Sequence, residues 1–227
     1  MIYNFLDKYI MNDFSSLIVN HLDKKKKFVV FDIGCFQGNF SRNLKDKLFS
    51  KKIHFYLFDP NPNIKLRDFK HYKIAFSNIE NRQNYYLNDF FPSSGSSLKT
   101  IVKNDKFWNL TRKFLSFNMG KKFKTFVVKT QKLDNFCKSK KISQIDVLKI
   151  DVEGSEMEVL MGAKNILKKT KIIQVEILGN KNNFNTKYKK LISYLKKYNF
   201  KIISIKSIWS VGILSNMKSK DILLVKI

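Results

Sequence analysis

Cysteine is scarce: Cys35 and Cys137 are the only two in 227 residues, far apart and in no C-x-x-C pair. That excludes a zinc site of clustered thiolates and a disulfide-dense secreted fold. Arginine is scarce too, limited to Arg42, Arg67, Arg82 and Arg112, although the formal net charge is +26. No uncharged apolar run approaches the ~18 residues that span a bilayer. The first residues lack a basic segment followed by an apolar one, so a cytoplasmic protein is expected. No repeat and no Pro-rich or Gly/Ser-rich linker divides the chain. Residues 1–227 therefore read as one domain, within the soft limit that length sets.

What is present suits a globular core: 44% of residues are apolar and 14% aromatic. A chain of this length can bury roughly 70% of the surface its unfolded form exposes, so it needs no staples. The positive charge would attract nucleic acid, anionic lipid or an acidic substrate. Yet it comes almost entirely from lysine, scattered from Lys24–Lys27 to Lys196–Lys197, in a sequence also rich in Asn, Ile and Phe. Those residues share A/T-rich codons, so base composition accounts for much of the bias. Arginine is the better fork for phosphate and base edges, and its scarcity weakens a nucleic-acid reading.

The periodicity predicts an amphipathic helix over 2–20, within an N-terminal helical segment of 1–24, then a strand over 27–33 and a helix over 39–48. A strand over 53–58, a short helix over 64–69 and a strand over 72–77 follow. The region 79–126 is irregular and reads as an insertion holding a hairpin and a short helix. Strands over 123–130, 145–150, 172–177, 200–205 and 222–227 alternate with helices over 133–140, 155–167 and 186–198. The expected fold is α/β, a doubly wound, Rossmann-like, mainly parallel sheet of seven strands. The last two strands, joined without a helix, imply an antiparallel member at one edge.

Ligands of such sheets bind beyond the carboxyl ends of the strands, where the strand order switches. Asp32-Ile33-Gly34-Cys35-Phe36-Gln37-Gly38 follows the first strand. Gly34 and Gly38 permit a tight turn with backbone close to a ligand, and Asp32 can orient that turn or accept from an ammonium group. The spacing is G-x-x-x-G, unlike the G-x-G-x-x-G that cradles a pyrophosphate. Asp59 ends the second strand, 25 positions after Gly34, near the ~20-residue offset at which an acid reaches ribose hydroxyls. A plain strand-to-helix turn and a helix N-cap are the ordinary alternatives. Together, loop and acid point to an adenosine-bearing ligand.

The run from Leu148 to Ala163, Leu-Lys-Ile-Asp-Val-Glu-Gly-Ser-Glu-Met-Glu-Val-Leu-Met-Gly-Ala, resembles the "L-K-I-D-V-E-G-x-E-x-x-V-L-x-G-A" of the FkbM methyltransferases. The likeness extends to the glycine loop, to Asp59-Pro60-Asn61-Pro62 and, with departures at Lys132 and Asn135, to Thr130–Phe136 as a "T-L-D-D-F" lead-in. It covers about 28–177. It implies a class I methyltransferase fold using S-adenosylmethionine, with O-methylation as the usual chemistry and sugars of bacterial glycans or glycosylated small molecules as common acceptors. It implies cofactor contact for Asp32, Gly34, Gly38 and Asp59, and a place facing cofactor or acceptor for Asp151 and Glu153. Ser96-Ser97-Leu98 looks like a family "S-S-L", which makes Ser97 a further cofactor candidate.

Methyl transfer to a hydroxyl needs a group to manage the leaving proton. His21 ends the first helix, and His54 and His71 precede strands at the end expected to lie opposite the cofactor, so none is well placed. The remaining candidates are the strand-end carboxylates Asp151, Glu153 and Glu176. They could act as a base with a raised pKa, hold a divalent cation such as magnesium, or hydrogen-bond sugar hydroxyls; base or acceptor binding is favoured, and no metal ligand is assigned. Glu156 suits a helix-start carboxylate, and Lys149, on the face of Asp151, suits a salt bridge. Phe107, Trp108 and Phe114 suit core packing or a stacking wall. The rival function is an RNA methyltransferase, motivated by the charge; against it, there is no N-P-P-Y or D-P-P-Y run and no Pro-Cys nucleophile.

Overall fold

The computed structural model describes residues 13–23, 27–48, 52–88, 96–99, 123–207 and 217–227. In chain order these form α1 (Ser15–Asn20), β1 (Lys27–Ile33), α2 (Asn39–Lys47), β2 (Lys52–Phe58), β3 (His71–Tyr72), β4 (Ala75–Phe76) and β5 (Arg82–Asn88). There follow β6 (Phe123–Gln131), α3 (Leu133–Ser139), β7 (Ile145–Ile150), α4 (Glu156–Met161), α5 (Lys164–Leu167), β8 (Thr170–Asn180), α6 (Phe184–Lys196), β9 (Phe200–Ser207) and β10 (Met217–Lys226).

The main sheet has seven strands in the order β3-β2-β1-β7-β8-β10-β9. The pairs from β3 to β8 are parallel. β10 is the antiparallel strand, and it lies one place in from the edge, between β8 and β9. β9 thus runs with the parallel strands and forms the edge itself. The order reverses between β1 and β7, so the carboxyl ends of those two strands flank the switch point.

Strand alternation sends each strand's residues to two faces. Phe31, Ile33, Leu148, Ile150, Ile173, Val175, Ile222 and Leu224 pack with Leu133 and Phe136 of α3, Leu160 of α4 and Leu191 and Leu195 of α6. Val30, Val147, Ile172 and Leu223 point the other way, against Phe14, Ile18, Phe40 and Leu44 around α1 and α2. Helices on both faces of a mainly parallel sheet are the doubly wound arrangement. No helix among the described residues is long and apolar enough to cross a membrane.

Several local expectations are corrected. Residues 64–69 form irregular backbone ending in a bend rather than a helix. The segment is too short to meet the cost of helix nucleation by itself, and Arg42 of α2 takes Asp68 as an ion-pair partner at 2.7 Å. The strand expected over 72–77 divides: β3 pairs with β2, whereas β4 pairs with β6 in a three-stranded sheet ordered β4-β6-β5. The helix expected over 155–167 breaks at Gly162-Ala163 into α4 and α5. A Cβ on Gly162 would lie 2.3 Å from the Ser77 carbonyl oxygen, so the break brings the chain against β4. Asp134 then accepts from the backbone N–H groups of Asn165 at 2.9 Å and Ile166 at 2.9 Å, capping α5 from another segment.

The region read as an insertion supplies β5 and the first part of β6, two strands paired antiparallel from Arg82↔Lys129 to Asn88↔Phe123. Its expected short helix, Phe107, Trp108 and Phe114 lie outside the described residues, as does the expected helix over 2–20 before its last part, α1.

Candidate active site

The turn after β1 is drawn tightly onto the sheet. Gly34 (φ +77°) and Gly38 (φ +77°) adopt left-handed backbone. A Cβ on Gly34 would fall 1.6 Å from the Asp151 carbonyl oxygen. The Asp151 N–H donates to Ile33 O at 2.9 Å, while Gly34 N–H and Cys35 N–H reach across to Phe58 O. Glycine is therefore required at 34, both for conformation and because β7 passes so close.

Asp59 fastens the same turn from β2. Its Oδ2 accepts from Phe36 N–H at 3.1 Å and its Oδ1 from Asn61 N–H at 2.9 Å. Burial pushes its pKa up to about 6, against the pull of those two N–H donors. Each carboxylate oxygen keeps a lone pair for a further donor, so loop fastening leaves capacity for a ribose contact.

Asp32 is fully buried and receives Ser41 Oγ–H on Oδ2 at 2.8 Å. Among the described residues no hydrogen-bond donor reaches its Oδ1, and Lys149 Nζ stands 3.7 Å away. The register pairs Asp32 with Lys149 and Lys149 with Gln174 on adjacent parallel strands. This polar row replaces the apolar one formed by Val30, Val147 and Ile172 nearer the strand starts.

Asp151, Glu153 and Glu176 converge, each offering an oxygen within 4.8 Å of the others. β7 ends at Ile150, and Glu153 in the loop beyond takes a left-handed conformation at φ +55°, which is uncommon and strained for a residue with a Cβ. Glu156 Oε1 closes that loop by accepting from Gly154 N–H at 2.6 Å. Burial raises Glu176 well above the ordinary carboxyl range, and the charges of Asp151 and Glu153 raise it further; it shares a hydrogen bond with Asp151 and accepts from Ser219 Oγ–H. Burial works the same way on Asp151, but the Lys149 ammonium at 3.0 Å and the hydrogen bond with Glu176 win and hold it below its usual range. One proton shared within the pair, residing on Glu176, is the arrangement these forces favour. The spacing of the three acids would also suit a hard cation, although Lys149 already supplies positive charge there.

Ser97 approaches the same loop, and its hydroxyl ties two stretches of the protein while keeping one acceptor position. It donates to Val152 O at 3.0 Å and accepts from Lys99 N–H at 3.1 Å. The structure thus joins Asp32, Gly34, Gly38, Asp59, Asp151, Glu153 and Glu176 along one rim, with Ser97 tying a neighbouring segment to it.

Two histidine expectations change. His54 lies within β2, and His71 pairs with Leu57 near the carboxyl end of β2, where its Nε2 lies 3.2 Å from the Asp59 carbonyl oxygen. His71 therefore sits at the cofactor rim, as a brace for the Asp59 backbone. Sequence reasoning also missed Tyr85. It is buried on β5, and burial, followed by the charges of Asp59 and others including Glu153, raises its phenol above the usual range. Nothing in the irregular stretch around it announced that position. Glu156 opens α4 as a helix-start carboxylate, and it is also buried, which raises it to about 8.

The sequence profile of the methyltransferase FkbM domain matches residues 32–202, three quarters of the chain and every residue of this rim. The chain belongs to the FkbM methyltransferase family. The 2-O-methyltransferase NoeI of Sinorhizobium fredii is 28% identical over 175 residues, 70% of this FkbM chain and 66% of that protein, a little under two thirds of its length. Two solved structures are similar at lower levels. TrmK of M. capricolum, in complex with S-adenosylhomocysteine, gives a TM-score of 0.46 at 16% identity, covering 96% of this chain and 69% of that one. An FkbM methyltransferase from Methylobacillus flagellatus gives 0.47 at 11% identity, covering 89% and 45%.

The methyl donor of this FkbM domain is S-adenosylmethionine, and the rim fits it. The donor carries a sulfonium and an ammonium, and the rim offers carboxylates. One of them, Asp32, has a buried oxygen without a hydrogen-bond donor among the described residues. The turn between Gly34 and Gly38 would hold the donor's amino-acid end beside Asp32, and Asp59 would take the ribose.

Proposed function

We propose that this FkbM methyltransferase acts in the cytoplasm on a hydroxyl oxygen of an uncharged, sugar-like acceptor, with Asp151 receiving the hydroxyl proton. The observation that carries this reading is the convergence of Asp151, Glu153 and Glu176 within 4.8 Å, beside the turn that closes over β1. S-adenosylmethionine supplies an electrophilic methyl on a sulfonium, which becomes a neutral thioether once the methyl has passed to oxygen. The chain's own residues must align the acceptor within about 3–3.5 Å of that carbon and accept one proton. Asp151, held ionised by Lys149, is the acceptor of that proton, while Glu176 keeps its own and directs it at Asp151. Glu153 is placed to receive a hydrogen bond from the same or a neighbouring hydroxyl.

Charge favours a neutral acceptor. Asp59, Asp151 and Glu153 place negative charge at one rim, beside the protonated Glu176, in a chain with only 18 acidic residues and a net charge of +26. A polyphosphate backbone would be repelled there, whereas sugar hydroxyls are natural donors to carboxylates. The similar protein from S. fredii is named a 2-O-methyltransferase, which supports oxygen as the accepting atom. The rival reading, RNA as substrate, rests on the overall charge.

The test uses S-adenosylmethionine labelled with tritium in the methyl group, offered with neutral oligosaccharides and, separately, with bulk RNA. Label should enter the oligosaccharide fraction, and Asp151→Asn should lower its rate by roughly 10²–10⁴-fold, the usual worth of a positioned base. Label entering RNA instead would replace this reading with the rival one.

A further inference from the structure

Among the described residues, Lys149 is the one strand residue of this rim that is both cationic and sealed from solvent. Its side chain is 6% exposed, against 28% for the Asp151 it pairs with. The ammonium is 3.0 Å from Asp151 Oδ2, 3.7 Å from Asp32 Oδ1 and 5.7 Å from the centroid of the Phe40 ring on α2. Asp32 lies next to the end of β1 on the donor side of the cleft, and Asp151 follows β7 on the acceptor side. A buried lysine survives only where neighbouring anions repay its desolvation, and here the two anions belong to different halves of the site.

We propose that Lys149 is a positioning residue that locks the two halves of the cleft together, holding Asp151 in place as the ionised carboxylate so that the proton of the Asp151–Glu176 pair stays on Glu176. The proposal rests on the reading of Asp151 as proton acceptor given above. The groups facing the pair come from every neighbouring element. They are Asp32 on β1, Asp59 after β2, Glu153 and Glu156 after β7, and Asp221 on β10, which pairs in register with Glu176. All are acids, so among the described residues Lys149 is the cation that decides which member of the pair is charged. Burial disfavours the charge on Lys149, but Asp151 and Asp32 outweigh it and keep the ammonium protonated.

The experiment is a pH titration of protein labelled with carbon-13 at the Asp and Glu side-chain carboxyls, followed by NMR. Asp151→Asn and Glu176→Gln difference spectra assign the two signals. In the wild type, Asp151 should titrate below the ordinary carboxylate range and Glu176 above it. In Lys149→Met the Asp151 midpoint should rise by about one pH unit or more, and Lys149→Arg should return it towards the wild type. A purely structural lysine would alter melting temperature without moving these midpoints. An unmoved Asp151 midpoint in Lys149→Met, or an ordinary one in the wild type, overturns the proposal; the second criterion holds even if the methionine variant does not fold. Calorimetry of the wild type with S-adenosylhomocysteine separates the two claims. No binding would count against the methyltransferase reading, while the titration still decides the role of Lys149.

Discussion

Asp59 has two tasks with one carboxylate. It fastens the Gly34–Gly38 turn through Phe36 N–H and Asn61 N–H, and it keeps lone pairs that can accept from a ribose. Asp59→Ala should weaken S-adenosylmethionine binding by about 1–3 kcal/mol, the scale of losing a hydrogen bond to a charged group, measured by calorimetry. Equal affinities in variant and wild type would remove Asp59 from the cofactor site. The sequence placed this acid correctly at a strand end, because periodicity and the offset from Gly34 are local properties. It could not reveal that the carboxylate also turns inward to Phe36, since that contact crosses 23 positions and exists only once β1 and β2 are paired. Ser97 illustrates the same limit: its motif suggested a ligand contact, and the fold engages its hydroxyl with Val152 O.

At the scale of elements, two expected helices changed for different reasons. The 64–69 segment lacked length. The 155–167 segment had both length and pattern, but Gly162 meets the Ser77 carbonyl and Asp134 offers a cap to a second start at Lys164. Asp134 lies in the first turn of α3, so what resembled a family signature also serves as an inter-helix cap. Asp134→Ala should cost about 1 kcal/mol, typical of a lost cap. That is roughly 2–4 °C in melting temperature for a chain of this size, with donor binding unchanged. An unaltered melting curve would show that α5 does not depend on Asp134.

Taken whole, the molecule gathers acids inward beneath a basic exterior, and this sets how its stability depends on pH. Glu156 rises from the usual 4.5 to about 8 on folding, and Asp59 from 3.8 to about 6. Each binds its proton more tightly folded than unfolded, so the folded form holds more protons across those windows. Stability contributed by these two groups is therefore greatest at acid pH and falls as pH rises towards 8. Glu156→Gln keeps an oxygen for Gly154 N–H but removes the titration. Its melting temperature should exceed that of the wild type by several degrees at pH 9 and differ little at pH 5. Parallel curves at both pH values would place Glu156 outside this balance.

The sequence by itself determined the alternation of strands and helices, the glycine turn, the acids at strand ends and the family resemblance. All of these are encoded in neighbours a few positions apart, where side-chain periodicity and backbone freedom are decided. Only the tertiary structure decided that β10 inserts between β8 and β9, that His71 reaches the cofactor rim, and that Lys149 joins Asp32 to Asp151. Those outcomes depend on strand order and register, which are fixed when distant segments bury their apolar faces against one another. The charge state of Asp151 and Glu176 belongs to the same class: a carboxyl's pKa is set by burial and by the nearest charges, and it takes the folded sheet to choose them.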